Sequence, residues 1–161
     1  MPDATPCVSL TAALLDKIGE QIERTRHLIA LVPAERLDWR PQAGDWTTAD
    51  LLGHLLDCIS GFCAVLAAAE PERLAHFAKL REIPATIEIF RVHIEEGFTL
   101  LTDADLGRLV PTVFVPRGES ILTLLLGNLE HLINHKHQLF TYLKQMGIPV
   151  ATPDLYRFRE E

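Results

Sequence analysis

Between Glu119 and Met146 the chain has no proline, and apolar residues recur at three- and four-residue intervals until Gly147-Ile148-Pro149 stops the pattern. At about 100° per residue, Ile121, Leu124, Leu125, Asn128, His131, Leu132, His135, Gln138, Leu139, Tyr142, Leu143 and Met146 share one side of a helix. That side reads as the buried stripe, and it carries two histidines one turn apart. His137 falls on the opposite side, towards Glu130 and Lys144, and reads as solvent-facing. Leu122, Leu126, Ile133 and Phe140 lie off the stripe, which predicts a second buried flank at a contact between copies of the chain.

Three more helical patterns precede this one. The first spans about Ser9 to Leu31, with Leu14, Leu15, Ile18, Ile22, Thr25, Leu28 and Ile29 inward, and Pro33 ends it. The next runs from about Thr47 to Ala69. Thr47 with Asp50 three residues on forms a capping-box-like start, and Leu51, His54, Leu55, Cys58, Phe62, Val65 and Leu66 make one inward face. Between them, residues 33–46 form a connection in which Trp39 and Trp46 are expected to act as packing anchors, with pocket lining as the alternative. Pro71 opens a short helical piece to about Leu80 that contains His76. Pro84 opens the third long helix, to about Leu101, with Ile87, Phe90, Ile94, Phe98 and Leu101 inward. Val113-Phe114-Val115 is predicted as a short extended stretch, too isolated to indicate a sheet. The pattern predicts an all-α four-helix bundle, a single domain over 1–161 with tails at 1–8 and 150–161.

Bulk properties narrow the function classes. A net charge of −7 with scattered basic residues argues against nucleic acid, whose phosphates demand clustered lysine and arginine. No apolar run reaches the ~18 residues needed to cross a bilayer, and the N-terminal residues do not read as a signal peptide. A cytoplasmic protein with no membrane partner is expected. Cys7, Cys58 and Cys63 form neither a disulfide framework nor a CxxC pair.

The chemistry lies in the histidines. One histidine on an apolar face is ordinarily a hydrogen-bonded core residue. Two at i and i+4, with His54 inward on another helix, can share a cation, which would engage ring nitrogens otherwise short of partners in a leucine-rich setting. His54, His131 and His135 are therefore the candidate metal ligands. Three protein ligands leave a coordination position open, the mark of a catalytic site. Cys58, one turn after His54, is a candidate thiol near the metal. Gln138 and Tyr142 share the stripe and are candidates to orient bound water or the ligands. No carboxylate is an obvious general base; Asp57 and Asp50 flank the His54 face as candidates, or are solvated surface acids. His27 and His93 lack partner spacing and read as structural or surface residues.

The segment from His131 through His135-Lys136-His137-Gln138 to Gly147-Ile148-Pro149 resembles the last helix of DinB/YfiT-like proteins, bacterial four-helix bundles regarded as metalloenzymes. In that family a histidine is followed four residues later by a His-Arg-Gly-Gln-like tetrapeptide; here Lys136 replaces the arginine and His137 the glycine. Trp39-Arg40-Pro41 and the Trp46-Thr47 to His54-Leu55 stretch also resemble the start of the family's second helix. The resemblance implies a divalent cation, nickel or zinc, on three histidines, a homodimer, and a small-molecule substrate. Some relatives use a low-molecular-weight thiol as co-substrate. It implies a metal-dependent enzyme performing thiol transfer or hydrolysis, or alternatively a non-catalytic, metal-stabilised binding module.

Overall fold

Four long helices carry the architecture: α1 (Leu10–Ala30), α2 (Thr48–Ala67), α3 (Ile83–Thr99) and α4 (Ile121–Gln145), followed by the single turn α5 (Thr152–Leu155). The computed structural model of the chain describes residues 8–67, 83–112 and 115–156. The expected short helix from Pro71 to Leu80, with His76, lies outside the described residues.

Local chemistry sets the helix ends. Thr47 and Asp50 form the expected reciprocal cap, with Asp50 N–H donating to Thr47 Oγ1 at 3.0 Å and Thr47 N–H donating to Asp50 Oδ2 at 2.9 Å. The start of α1 is held from a distance. The Asp103 carboxylate accepts the Leu10 and Thr11 N–H groups, each at 2.9 Å, and these bonds, with those from the Ser9 and Thr11 hydroxyls, hold its pKa well below the usual carboxylate range. α4 ends in a Schellman arrangement: Ile148 N–H reaches Leu143 O at 2.9 Å and Gly147 N–H reaches Lys144 O at 3.0 Å. Gly147 takes a φ of 82° there, which a side chain would disfavour.

The core runs between the helices through Leu14, Ile18 and Ile22 of α1, Leu55, Ile59 and Phe62 of α2, Ile87 and Ile94 of α3, and Leu125, Leu132 and Leu139 of α4. α2 is buried nearly all round: Leu52, Leu56 and Ile59 are as enclosed as the face predicted for it. It is also the one described helix long and apolar enough to cross a membrane, with a mean hydropathy of 1.5, although 67% of that window is buried inside the bundle. The expectation of no such segment fails for α2 because the count of uninterrupted apolar residues overlooked a helix interrupted only by scattered polar ones. α2 and α4 approach closely at Gly61. A Cβ there would meet Asn128 Oδ1 at 2.7 Å, and Asn128 Nδ2 donates to Cys58 O at 2.8 Å.

The described extended pairing lies on either side of the predicted Val113–Val115 stretch: β1 (Leu109–Val110) and β2 (Glu119–Ser120) pair antiparallel, Leu109 opposite Ser120, and deliver Ser120 as the N-cap of α4. Val113 and Phe114 lie outside the described residues. Within the stretch predicted as a C-terminal tail, Val150 and Leu155 are buried and α5 packs on α1 and α4. His27 Nε2 and Asp154 Oδ1 meet at 2.7 Å across that contact.

Candidate metal centre

α2 and α4 lie side by side, and that packing brings His54 against His131 and His135. The three rings sit edge to face, with centroids 4.9 Å apart for His54 and His131, 4.4 Å for His54 and His135, and 4.8 Å for His131 and His135. His54 Nε2 and His131 Nε2 are 3.0 Å apart. One ligand atom from each of the three lies within 4.8 Å of the others. The histidines thus converge, although not inside the core. His54 and His135 are half-buried and His131 is exposed, so the site opens on the flank of the bundle.

The buried face of α4 keeps Ile121, Leu125, Leu132, Leu139, Tyr142 and Leu143 of the predicted stripe but extends to Leu129, Lys136 and Phe140, leaving the histidines at its margin. Leu125, Leu129, Leu132, Lys136, Leu139 and Leu143 form the sealed seam, with Lys136 only 2% exposed. Its ammonium donates to Gln21 Oε1 at 2.5 Å and to Leu155 O at 2.8 Å, and lies 5.5 Å from the Tyr156 ring centre. Burial pushes its pKa down to about 8. His137 is exposed, as the helical phase predicted. Phe140 is buried within the chain and cannot serve a contact between copies. Of the four flank residues, Leu126 is 47% exposed while Leu122 and Ile133 are half-buried.

A polar chain selects the tautomer of His135. The Trp46 carbonyl can only accept, so the Tyr142 hydroxyl donates to it at 3.1 Å. Tyr142 oxygen then accepts from Gln138 Nε2 at 3.4 Å, which turns Gln138 Oε1 towards His135 Nδ1 at 2.8 Å. Nδ1 must therefore carry the proton, leaving the Nε2 lone pair for the shared space. Gln138 and Tyr142 thus stand behind His135. Desolvation of the His131 ring, with His135 nearby, lowers its pKa and favours the neutral, ligating form. Three imidazoles, one with its tautomer set by its partner, could hold a divalent cation of borderline softness.

The other candidates stand elsewhere. Cys58 is buried, and burial raises its thiol pKa to about 12, so it supplies no thiolate at neutral pH. Asp50 is engaged in the helix cap. Asp57 is half-buried and, like Cys58, is not a member of the three-residue cluster. Sequence patterning also misjudged Trp46. Trp39 is the anchor, edge-on to Tyr142 at 5.3 Å, with its carbonyl accepting Thr48 N–H. Trp46 is 43% exposed and lies on the site, stacked with His135 at 5.6 Å and edge-on to His54 at 4.8 Å. Its place directly before the Thr47 cap was the available signal, because a residue there hangs over the first turns of α2.

A helical bundle with three converging imidazoles on one flank is the class that this fold and site define. The chain belongs to the DinB superfamily, whose family model matches residues 18–139. Among solved structures it is similar to a DinB-like protein from Bacillus cereus ATCC 10987, with a TM-score of 0.74 and 17% identity over 89% of this chain and 97% of that one. A DinB-like protein from Bacillus subtilis is similar with a TM-score of 0.67 and 18% identity, over 84% and 92% of the two chains. At these identities the likeness concerns the fold. No curated protein matched the chain.

Proposed function

We propose that the chain is a divalent-metal-dependent enzyme acting on a small molecule, by thiol transfer or hydrolysis, with nickel or zinc held by His54, His131 and His135. The observation that carries this reading is the convergence of three imidazoles on an open flank, within 4.8 Å of one another. A cation there would act as a Lewis acid, polarising a substrate oxygen or promoting loss of a proton from a bound thiol or water. The chain's own residues contribute the rest. Gln138 holds His135 in the ligating tautomer, Tyr142 holds Gln138, and Trp46 forms an aromatic wall that limits water on one side of the site. No described carboxylate belongs to the cluster, which favours chemistry in which the metal-bound group itself reacts over general-base catalysis by the protein.

Metal analysis of protein purified without a histidine tag, followed by turnover assays on activated thiol acceptors and on esters and amides before and after chelation, tests the reading. Chelator-sensitive turnover supports it. Retained metal without turnover on any of these classes would favour a metal-stabilised binding module. A second copy of the chain is proposed to cover Leu122, Leu126 and Ile133; a monomer by light scattering throughout the micromolar range would remove that part.

A further inference from the structure

We propose that Asp45 selects the substrate by charge, so that the molecule reaching the imidazoles carries an ammonium group at the end remote from its metal-binding atom. The proposal rests on the metal reading of the three histidines. Two adjoining cavities lie on the side of His135 that faces Gln138 and Tyr142. One, of about 390 Å³, is walled by Trp46, His135 and Gln138; the other, of about 520 Å³, extends along α4 to Thr141 and Gln145. Asp45, Gln138 and Tyr142 line both, so a ligand that extends from His135 towards Gln145 would pass Asp45.

Among the residues that line these two cavities, Asp45 is the one carboxylate. Gln42, Thr141 and Gln145 offer amides and a hydroxyl, which serve donors and acceptors alike. Asp45 is half-buried, and among the described residues no hydrogen bond or ion pair engages its carboxylate. Its backbone is fixed: Asp45 N–H donates to Gln42 O at 3.2 Å in a turn completed by Gly44, whose φ is 95°. A fixed, unpaired carboxylate in a groove attracts a cation and repels an anion, and specificity is the difference between those two effects. The same field reaches Tyr142, whose phenol is pushed up by burial first and by Asp45 among the nearby acids. A turn aspartate can also be merely solvated, and the experiment separates the two.

Full-length, tag-free protein loaded with cobalt(II) would be titrated with ω-aminoalkanethiols from ethyl to hexyl, and with ω-mercaptoalcohols and ω-mercaptoalkanoates of the same lengths. Binding is read from the thiolate-to-metal absorption band. At one or more lengths the amine should bind about fivefold to tenfold more tightly than the alcohol, and the carboxylate more weakly, the size expected of a partly screened charge pair. Asp45→Asn should keep the metal and lose the ranking, and Asp45→Lys should invert it. Equal binding of the three series by metal-loaded wild type, an unchanged ranking in Asp45→Asn, or failure of every thiol to produce the band would overturn the proposal. Failure of the metal reading is seen earlier and separately, as wild-type protein that retains no cobalt before any thiol is added.

Discussion

Two neighbouring seams run down α4, offset by one residue, and they meet opposite fates. Leu124, Asn128, His131, His135, Gln138 and Tyr142 repeat at intervals of four and three residues, and so do Leu125, Leu129, Leu132, Lys136, Leu139 and Leu143. One residue is about 100° of helix, enough to move a seam from the sealed core to its margin. Both seams hold polar side chains. On the sealed seam, Lys136 has its ammonium bonded to Gln21 and to the Leu155 carbonyl, with the Tyr156 ring beside it. On the marginal seam, the imidazoles turn ring nitrogens towards one another in a space open to solvent. A buried polar group whose bonds are closed by the protein is structural. Donor atoms gathered at an open edge have coordination left to offer.

Removing His135 gives the sharpest break between the seams. His135→Ala should lose metal by well over the ~10–100-fold that an outer partner contributes, whereas His137→Ala, on the exposed face, should leave metal content unchanged. Side-by-side metal analysis decides this, and loss of metal only in His137→Ala would redraw the site.

Lys136 should behave in the opposite way. Lys136→Met leaves two buried acceptors without their donor, and each such orphan costs about 1–3 kcal/mol. Relief from burying a charge offsets part of that loss. Denaturant unfolding should show lower stability, with metal content retained by the folded fraction. The pH dependence has a defined sign. The folded chain releases the Lys136 proton at about 8, against an ordinary value of 10.5. Between those values the unfolded chain binds more protons, so this residue's contribution makes wild-type stability rise with pH. That contribution should be absent in Lys136→Met, and identical slopes for the two proteins would contradict the assignment.

Substitutions behind the metal ligands should have smaller effects. Gln138→Leu leaves His135 Nδ1 without its acceptor and should weaken metal binding about 10–100-fold. Tyr142→Phe acts one bond further away and should cost less. Metal competition titrations should rank the variants His135→Ala, Gln138→Leu, Tyr142→Phe; an equal loss for the last two would mean that Tyr142 contacts the site by another route.

Much of this was legible in the chain because it depends on short-range spacing. The Thr47–Asp50 cap, the Gly147 stop and the His131–His135 pair each need only a few neighbouring residues. The exact phase of α4 was less accessible. The two seams have the same spacing, and a lysine inside one of them argues for solvent until Gln21 and Leu155, distant in sequence, supply its acceptors. The place of Trp46 depends on how residues 33–46 cross the bundle, which no periodicity encodes. Cys58 satisfied the spacing for the site face, but α2 is buried nearly all round, so facing inward there does not distinguish core from site.

The hydrogen-bonded chain behind His135 ends on the carbonyl of Trp46, a main-chain atom. Exchanging the side chain at position 46 therefore changes the aromatic wall but leaves the terminal acceptor in place. Inserting or deleting a residue between Pro41 and Asp45 would do the reverse, displacing the acceptor while sparing every ligand. By linkage, whatever the imidazoles bind must also bias the path of this loop, and a partner that grips the loop must alter what the imidazoles hold.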